Sequence, residues 1–227
     1  MNCCRFTAPI AVIAIVGASL AFAQHSDNTK KPTAPAAAAG DEHMQLPPNM
    51  TEEDMKAYME AATPGPMQEY LVASEGTWKG ECTQWMAPGA DPQSSQCTST
   101  TTSMMDGRFV KCEVAGEMPG MGMFNGFGLY GYDNVGKTFQ CTWIDNMGTG
   151  MMQGTGELSS DKTTLTWTMK FNCPIAKKCL TMKEIDKTID KNNKVMEMWG
   201  PDPKSGEVYK VMEIKFTRES KMAHAGQ

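Results

Sequence analysis

Histidine is nearly absent from this sequence. Its three copies, His25, His43 and His224, all fall outside the strand-like stretch from Gly76 to Arg218. That excludes a Ser-His-Asp or Cys-His site within the stretch. It equally excludes a proximal haem histidine and histidine-based zinc catalysis there. Cys-x-x-Cys is also missing, which argues against a thioredoxin-like or zinc-ribbon centre. No apolar run reaches the roughly 20 residues needed to span a bilayer as a helix. Basic clusters are lacking too: Lys177-Lys178 is the strongest, in a chain of net charge −5. A mildly acidic chain of this kind is a poor candidate for nucleic-acid binding.

What is present begins with a leader. Met-Asn-Cys-Cys-Arg precedes an apolar run from Ala8 to Ala23 that ends Ala21-Phe22-Ala23. One basic residue, a short apolar core and an A-x-A end read as a secretory signal peptide over 1–23. No cysteine follows the cleavage motif, so the expected location is free export, periplasmic or extracellular. Loss of Arg5 takes the net charge from −5 to −6. Six of the eight cysteines remain: Cys82, Cys97, Cys112, Cys141, Cys173 and Cys179. An even count in an exported chain implies disulfides.

Residues 24–50 are rich in Ala, Pro, Thr and Lys and read as a disordered linker. A helical cap is expected over 51–75. Thr51 followed by Asp54 resembles a capping box, and Met55, Tyr58, Met59 and Ala62 keep helical spacing over 52–62. Pro64-Gly65-Pro66 stops that helix, and a second is expected at 66–74.

From Gly76 the apolar period changes to two. Strands are expected near 76–86, 96–104, 107–117, 122–133, 137–145, 149–158, 162–171, 180–189, 193–200 and 206–217. Leu165, Trp167, Met169 and Phe171 alternate cleanly with polar residues. Asp133-Asn134-Val135-Gly136 marks a hairpin turn between two apolar-aromatic runs. Gly122, Gly126, Gly128 and Gly131 lie inside the first of those runs, where interior glycines signal coiling or close backbone approach. Ten short antiparallel strands at hairpin spacing predict an all-β, up-and-down barrel over 76–218, with a disordered tail over 219–227. A β-sandwich is the alternative.

Gly76-Thr77-Trp78 resembles the Gly-x-Trp of lipocalins and related calycins. Thr217-Arg218 falls where calycin barrels often place an arginine over that tryptophan. Met105-Asp106-Gly107-Arg108-Phe109, the block from Gly126 to Asp133, and Thr142-Trp143-Ile144-Asp145 resemble the bacterial domain-of-unknown-function family numbered fifteen seventy-nine. The likeness covers about residues 66–218. It implies a secreted, calycin-like barrel, gives Trp78 and Arg218 structural roles, and carries over no catalytic residue.

Carboxylate pairs remain available for catalysis, such as Asp145 with Glu157 or Glu184 with Glu197. Acidic side chains on strands more often form the solvated face, and no enzyme activity is expected. Methionine is unusually frequent, at 21 copies. Thioethers suit Cu(I), but methionine also fills cores and lines cavities. The latter is the preferred reading, so no metal or other cofactor is expected. Trp85, Phe139 and Trp199 join the strand aromatics. A cavity lined by Phe109, Phe127, Tyr130, Trp143, Met152, Trp167 and Met169 would take a small apolar ligand. A filled core without a ligand fits the same residues equally well. The expected function is non-catalytic binding of a small apolar molecule. The alternatives are Cu(I) binding through methionines and a ligand-free envelope scaffold.

Spacing also predicts the bridges. A first hairpin turning near Ala90 sets Cys82 opposite Cys97. Cys173 and Cys179 flank a short loop. Cys112 and Cys141 are left, two strands apart across Gly128, whose missing side chain would leave the path open.

Overall fold

A computed structural model describes residues 49–219. The expected leader, most of the linker and nearly all of the tail lie outside the described residues. Two helices, α1 (Glu52–Ala62) and α2 (Pro66–Val72), precede ten strands. These are β1 (Gly76–Gln84), β2 (Gln93–Met104), β3 (Phe109–Met118), β4 (Gly122–Asp133) and β5 (Thr138–Asp145). They continue as β6 (Met152–Leu158), β7 (Thr164–Cys173), β8 (Lys178–Asp190), β9 (Asn193–Pro201) and β10 (Val208–Arg218). Each strand pairs antiparallel with its neighbours in sequence, and β10 returns to β1. The sheet is a closed up-and-down barrel, not a sandwich. Closure leaves no unpaired edge.

Local chemistry starts the helices as the sequence suggests. The Thr51 hydroxyl accepts from Asp54 N at 3.1 Å, and Asp54 Oδ2 accepts from Thr51 N at 2.9 Å. Pro66 opens α2, where its missing N–H costs nothing. The buried Gln68 ties α2 to the barrel by donating to Tyr132 O and Asn134 Oδ1, each at 3.0 Å. Asn134 in turn donates to Ala61 O at 3.1 Å and Thr63 O at 2.8 Å, and Arg108 Nε to Ala62 O at 3.0 Å. The helices therefore close the barrel end that carries the β3 and β5 starts.

Register assigns the faces. Trp78, Ser99, Val114 and Gly126 are successive cross-strand partners on the inside. So are Val110, Tyr130, Cys141, Gly154, Met169 and Met182. The inner side chains form two separate apolar clusters. One gathers Leu71, Val110, Phe139, Cys141, Leu165, Trp167 and Met169. The other gathers Trp78, Cys82, Ile214 and Phe216.

None of the three expected disulfides is formed in this structure, where the six described cysteines are unbridged. In the first hairpin Gln84 pairs with Gln93, so the turn centres between Pro88 and Gly89 and not at Ala90. Cys97 then faces Gly80, and Cys82 faces Ser95. The two sulfurs still approach diagonally to 3.4 Å. In the loop after β7, Cys173 pairs with Lys178 and Cys179 with Asn172. A one-residue offset sends side chains to opposite faces, so Cys173 is buried inside and Cys179 points out. Cys112 and Cys141 flank β4 as expected, opposite Gly128 and Tyr130. The space over Gly128 is not open, because the Tyr130 ring fills it: a Cβ there would lie 2.5 Å from Tyr130 Cε2.

Candidate functional site: the barrel interior

Five of the seven residues expected to line a cavity do face inward. Tyr130, Trp143, Met152, Trp167 and Met169 share the inner parity of β4 to β7. Trp167 is the centre of the group. Its ring meets Tyr130 at 5.4 Å and Phe139 at 6.2 Å between centroids, both edge-on, the arrangement aromatic quadrupoles favour. Trp143 stacks on Phe124 at 6.4 Å, donates from Nε1 to Asp145 at 3.0 Å, and pairs across the sheet with Met152.

Phe109 and Phe127 are corrected. They point outward, 39% and 36% exposed. The inner positions beside Phe127 are Gly126 and Gly128, and the rings of Trp143 and Tyr130 lie over those two glycines. Phe127 is left on the outer face, and the inner space at the two glycines is taken by Trp143 from β5 and Tyr130 from β4 itself. Trp85 and Trp199 flank Lys210, whose ammonium binds Glu197 at 3.2 Å and Glu213 at 2.7 Å. That cluster belongs to the outer wall.

A polar seam separates the two apolar clusters. Ser99, Thr101 and Cys112 contribute from β2 and β3; Glu184, Asp186 and Lys194 contribute from β8 and β9. None of the last three was expected inside. Glu184 lies beside Asp186 on the inner face, while Glu197, its expected partner, belongs to the outer cluster. Asp186 Oδ2 accepts from Trp167 Nε1 at 3.1 Å. Burial pushes both carboxyls up, and mutual repulsion pushes Glu184 further, well above the carboxylate range. The Trp167 hydrogen bond and Lys194 pull Asp186 the other way. The protonated form is therefore favoured more at Glu184 than at Asp186.

Burial also pushes the Tyr130 phenol well up, and the Cys141 thiol to about 12, with Glu184 adding to both. Cys141 is thus a neutral thiol, its sulfur 3.2 Å from Met169 Sδ. The Cys82–Cys97 contact holds Cys82 below its ordinary range and Cys97 above. Among the described residues, no group of three or more His, Cys, Asp or Glu could hold a metal.

Trp78 closes the helix-capped end. It is 3% exposed, and its Nε1 donates to Ser74 O at 2.9 Å. The Arg218 guanidinium lies 4.0 Å from the ring centroid, and Lys194 Nζ lies 4.5 Å from it. Arg218 also donates to the carbonyls of Ala73, Glu75 and Lys191. This tryptophan joins the first strand, the last strand and the helical cap.

Glu184, Asp186, Tyr130 and Lys194 are enclosed by the barrel, yet each keeps partial solvent access. These polar side chains are the part of the inner face that packing leaves incompletely covered. A signal for them existed in sequence. In β8, Lys183 and Lys187 claim the outer face, leaving Leu180, Met182, Glu184 and Asp186 on the other. In β9, Lys194 shares parity with Met196 and Met198.

Among solved structures, Rv2717c from M. tuberculosis is similar over 70% of this chain and 100% of its own, at TM-score 0.52 and 12% identity. The S-type phycobiliprotein lyase CPES from Guillardia theta is similar over 72% and 97%, at TM-score 0.49 and 9% identity. The first likeness is one of fold. No curated protein matches the chain. Among the described residues, no helix is long and apolar enough to cross a membrane. The family described as "Protein of unknown function (DUF1579)" matches residues 63–218, from the turn between the helices to the end of the last strand. The chain belongs to that family.

Proposed function

We propose that this protein is an exported, non-catalytic binding barrel that holds one small, mainly apolar molecule in its interior. The observation that carries the reading is the partial accessibility of enclosed side chains between two separate apolar clusters. Trp143 and Met152, backed by the buried Trp167 and Met169, offer an aromatic and thioether wall. Tyr130, Glu184, Asp186 and Lys194 offer a few polar groups beside it. Mostly apolar lining with sparse, fixed polar groups is how small-molecule sites are built. The leader-like N-terminus supports export. The lack of histidine in the barrel supports binding without catalysis.

Titration with the neutral fluorophore N-phenyl-1-naphthylamine tests the reading. Saturable, one-to-one uptake with fluorescence enhancement is expected, weakened in Trp143→Ala. Failure of the probe to bind saturably, with no small molecule released from the purified protein on denaturation, contradicts it.

Soft-metal binding is the second reading. Two sulfur contacts favour it: Cys82 with Cys97 at 3.4 Å and Cys141 with Met169 at 3.2 Å. Thiols and thioethers are the donors Cu(I) prefers. A rise in melting temperature specific to Cu(I), lost in Cys82→Ser, supports it. No shift sinks it.

A further inference from the structure

Lys194 is the interior amine that the fold leaves uncommitted. Its register partners are Thr188 and Phe216, which place it on the inner face at the helix-capped end. Among the described residues, the contacts of Nζ are the faces of two rings, Trp78 at 4.5 Å and Phe216 at 5.0 Å. No carboxylate or carbonyl in that set comes within hydrogen-bond or ion-pair reach. The contrast with Lys210, clasped by two glutamates on the outer wall, is direct. Asp186 lies diagonally across the β8–β9 pair, with Glu184 next along the same face.

We propose that Lys194 is a covalent attachment point for an apolar aldehyde, which it holds as a reversible imine. The inference rests on the binding-barrel reading above and names the ligand's chemical class. The Nζ lone pair adds to the carbonyl carbon. Glu184 supplies a proton as the carbinolamine hydroxyl leaves as water, and the nitrogen, still bonded to carbon, returns a proton to Glu184. One C=O bond becomes one C=N bond, and one water leaves with the carbonyl oxygen and both amine hydrogens. No electrons are gained or lost. If the imine is protonated, Asp186 is its counter-ion. The aromatic and methionine wall takes the body of the ligand.

Enclosure lowers the Lys194 ammonium from its ordinary range, and Arg218 pushes the same way; Asp186, Cys112 and Glu184 oppose. The free amine is thus more available here than on a surface lysine. The acid pair also selects against the other obvious partner of a lysine. A carboxylate ligand would meet Asp186 on the same wall, whereas an aldehyde brings no charge.

The test uses trans-cinnamaldehyde with sodium cyanoborohydride, which reduces the C=N bond to a stable amine, followed by peptide mapping. Cinnamyl alcohol serves as the non-covalent analogue. One cinnamyl group on Lys194 per chain is expected, absent in Lys194→Arg. Protection by excess cinnamyl alcohol is expected in the unaltered protein, so the test does not depend on a variant folding. Labelling confined to surface lysines, or labelling of Lys194 that the alcohol does not reduce, overturns the proposal. Saturable binding of both compounds without an adduct overturns the attachment and leaves the binding reading standing. Absence of any binding or adduct removes both.

Discussion

Replacing Gly128 by Ala probes the packing that shapes the interior. A Cβ at this position lies 2.5 Å from Tyr130 Cε2 and 2.7 Å from the Tyr130 hydroxyl oxygen. Those distances are far inside van der Waals contact, so the ring must move. It cannot move freely, because it rests edge-on against Trp167 at 5.4 Å. Overpacking of this kind costs about 1–3 kcal/mol. For a domain of this size that lowers the melting temperature by about 2–4 °C for each kcal/mol. Urea unfolding gives the free energy directly, with an unchanged slope showing that compactness is kept. The decisive comparison is a cycle with Tyr130→Ala. Removing the ring costs about 3–5 kcal/mol, the scale for deleting a buried aromatic side chain. In that background Gly128→Ala should cost almost nothing, because the atom it struck is gone. An equal cost in both backgrounds would refute the contact as the reason for glycine. A neutral Gly128→Ala in the unaltered protein would refute it as well.

Three other outcomes follow from the interior. Glu184 and Asp186 have folded-state pKa values above their ordinary ones, so their contribution is fully present in acid and lost as pH rises through the raised values. Glu184→Gln should therefore match the unaltered protein in acid and gain a melting-temperature advantage that grows toward neutral pH; a difference independent of pH contradicts this. Cys82 and Cys97, with sulfurs 3.4 Å apart, should form the first disulfide on exposure to oxidised glutathione, seen by non-reduced peptide mapping. Cys173 joined to Cys179 would show that the β7–β8 register is wrong. Trp167→Ala should cost about 3–5 kcal/mol by urea unfolding, as expected for a fully enclosed aromatic ring; a cost under about 1 kcal/mol would mean that the ring is not the centre of its cluster.

The fold was legible because its signals are local. Leu165, Trp167 and Met169 alternate with polar residues, and all three face inward. Asp133 to Gly136 turns the chain where the dipeptide chemistry says it should, and Thr51 with Asp54 starts α1. The site was less legible because inwardness depends on neighbours. Phe127 is apolar and flanked by glycines, and only the rings lying over Gly126 and Gly128 reveal which side is inside. Hydrophobicity alone placed it in the cavity. Glu184 was misplaced, and Lys194 passed over, for the converse reason: charge suggests solvent, while strand parity puts them with Met182 and Met196. The cysteine registers were misread through turn length. Centring the first hairpin too late misaligned Cys82 with Cys97, and counting the β7–β8 turn one residue too long put Cys179 on the face of Cys173.

The indole N–H signals of the five tryptophans offer the most direct measurement of ligand binding within the barrel. Trp78, Trp143 and Trp167 face the interior, whereas Trp85 and Trp199 meet Lys210 on the outer wall. In a ¹⁵N-labelled sample titrated with N-phenyl-1-naphthylamine, the Trp143 and Trp167 signals, assigned by Trp→Phe variants, should shift in proportion to occupancy. Those of Trp85 and Trp199 should stay in place. Shifts confined to Trp85 and Trp199 would put the ligand on the outer wall and contradict the account.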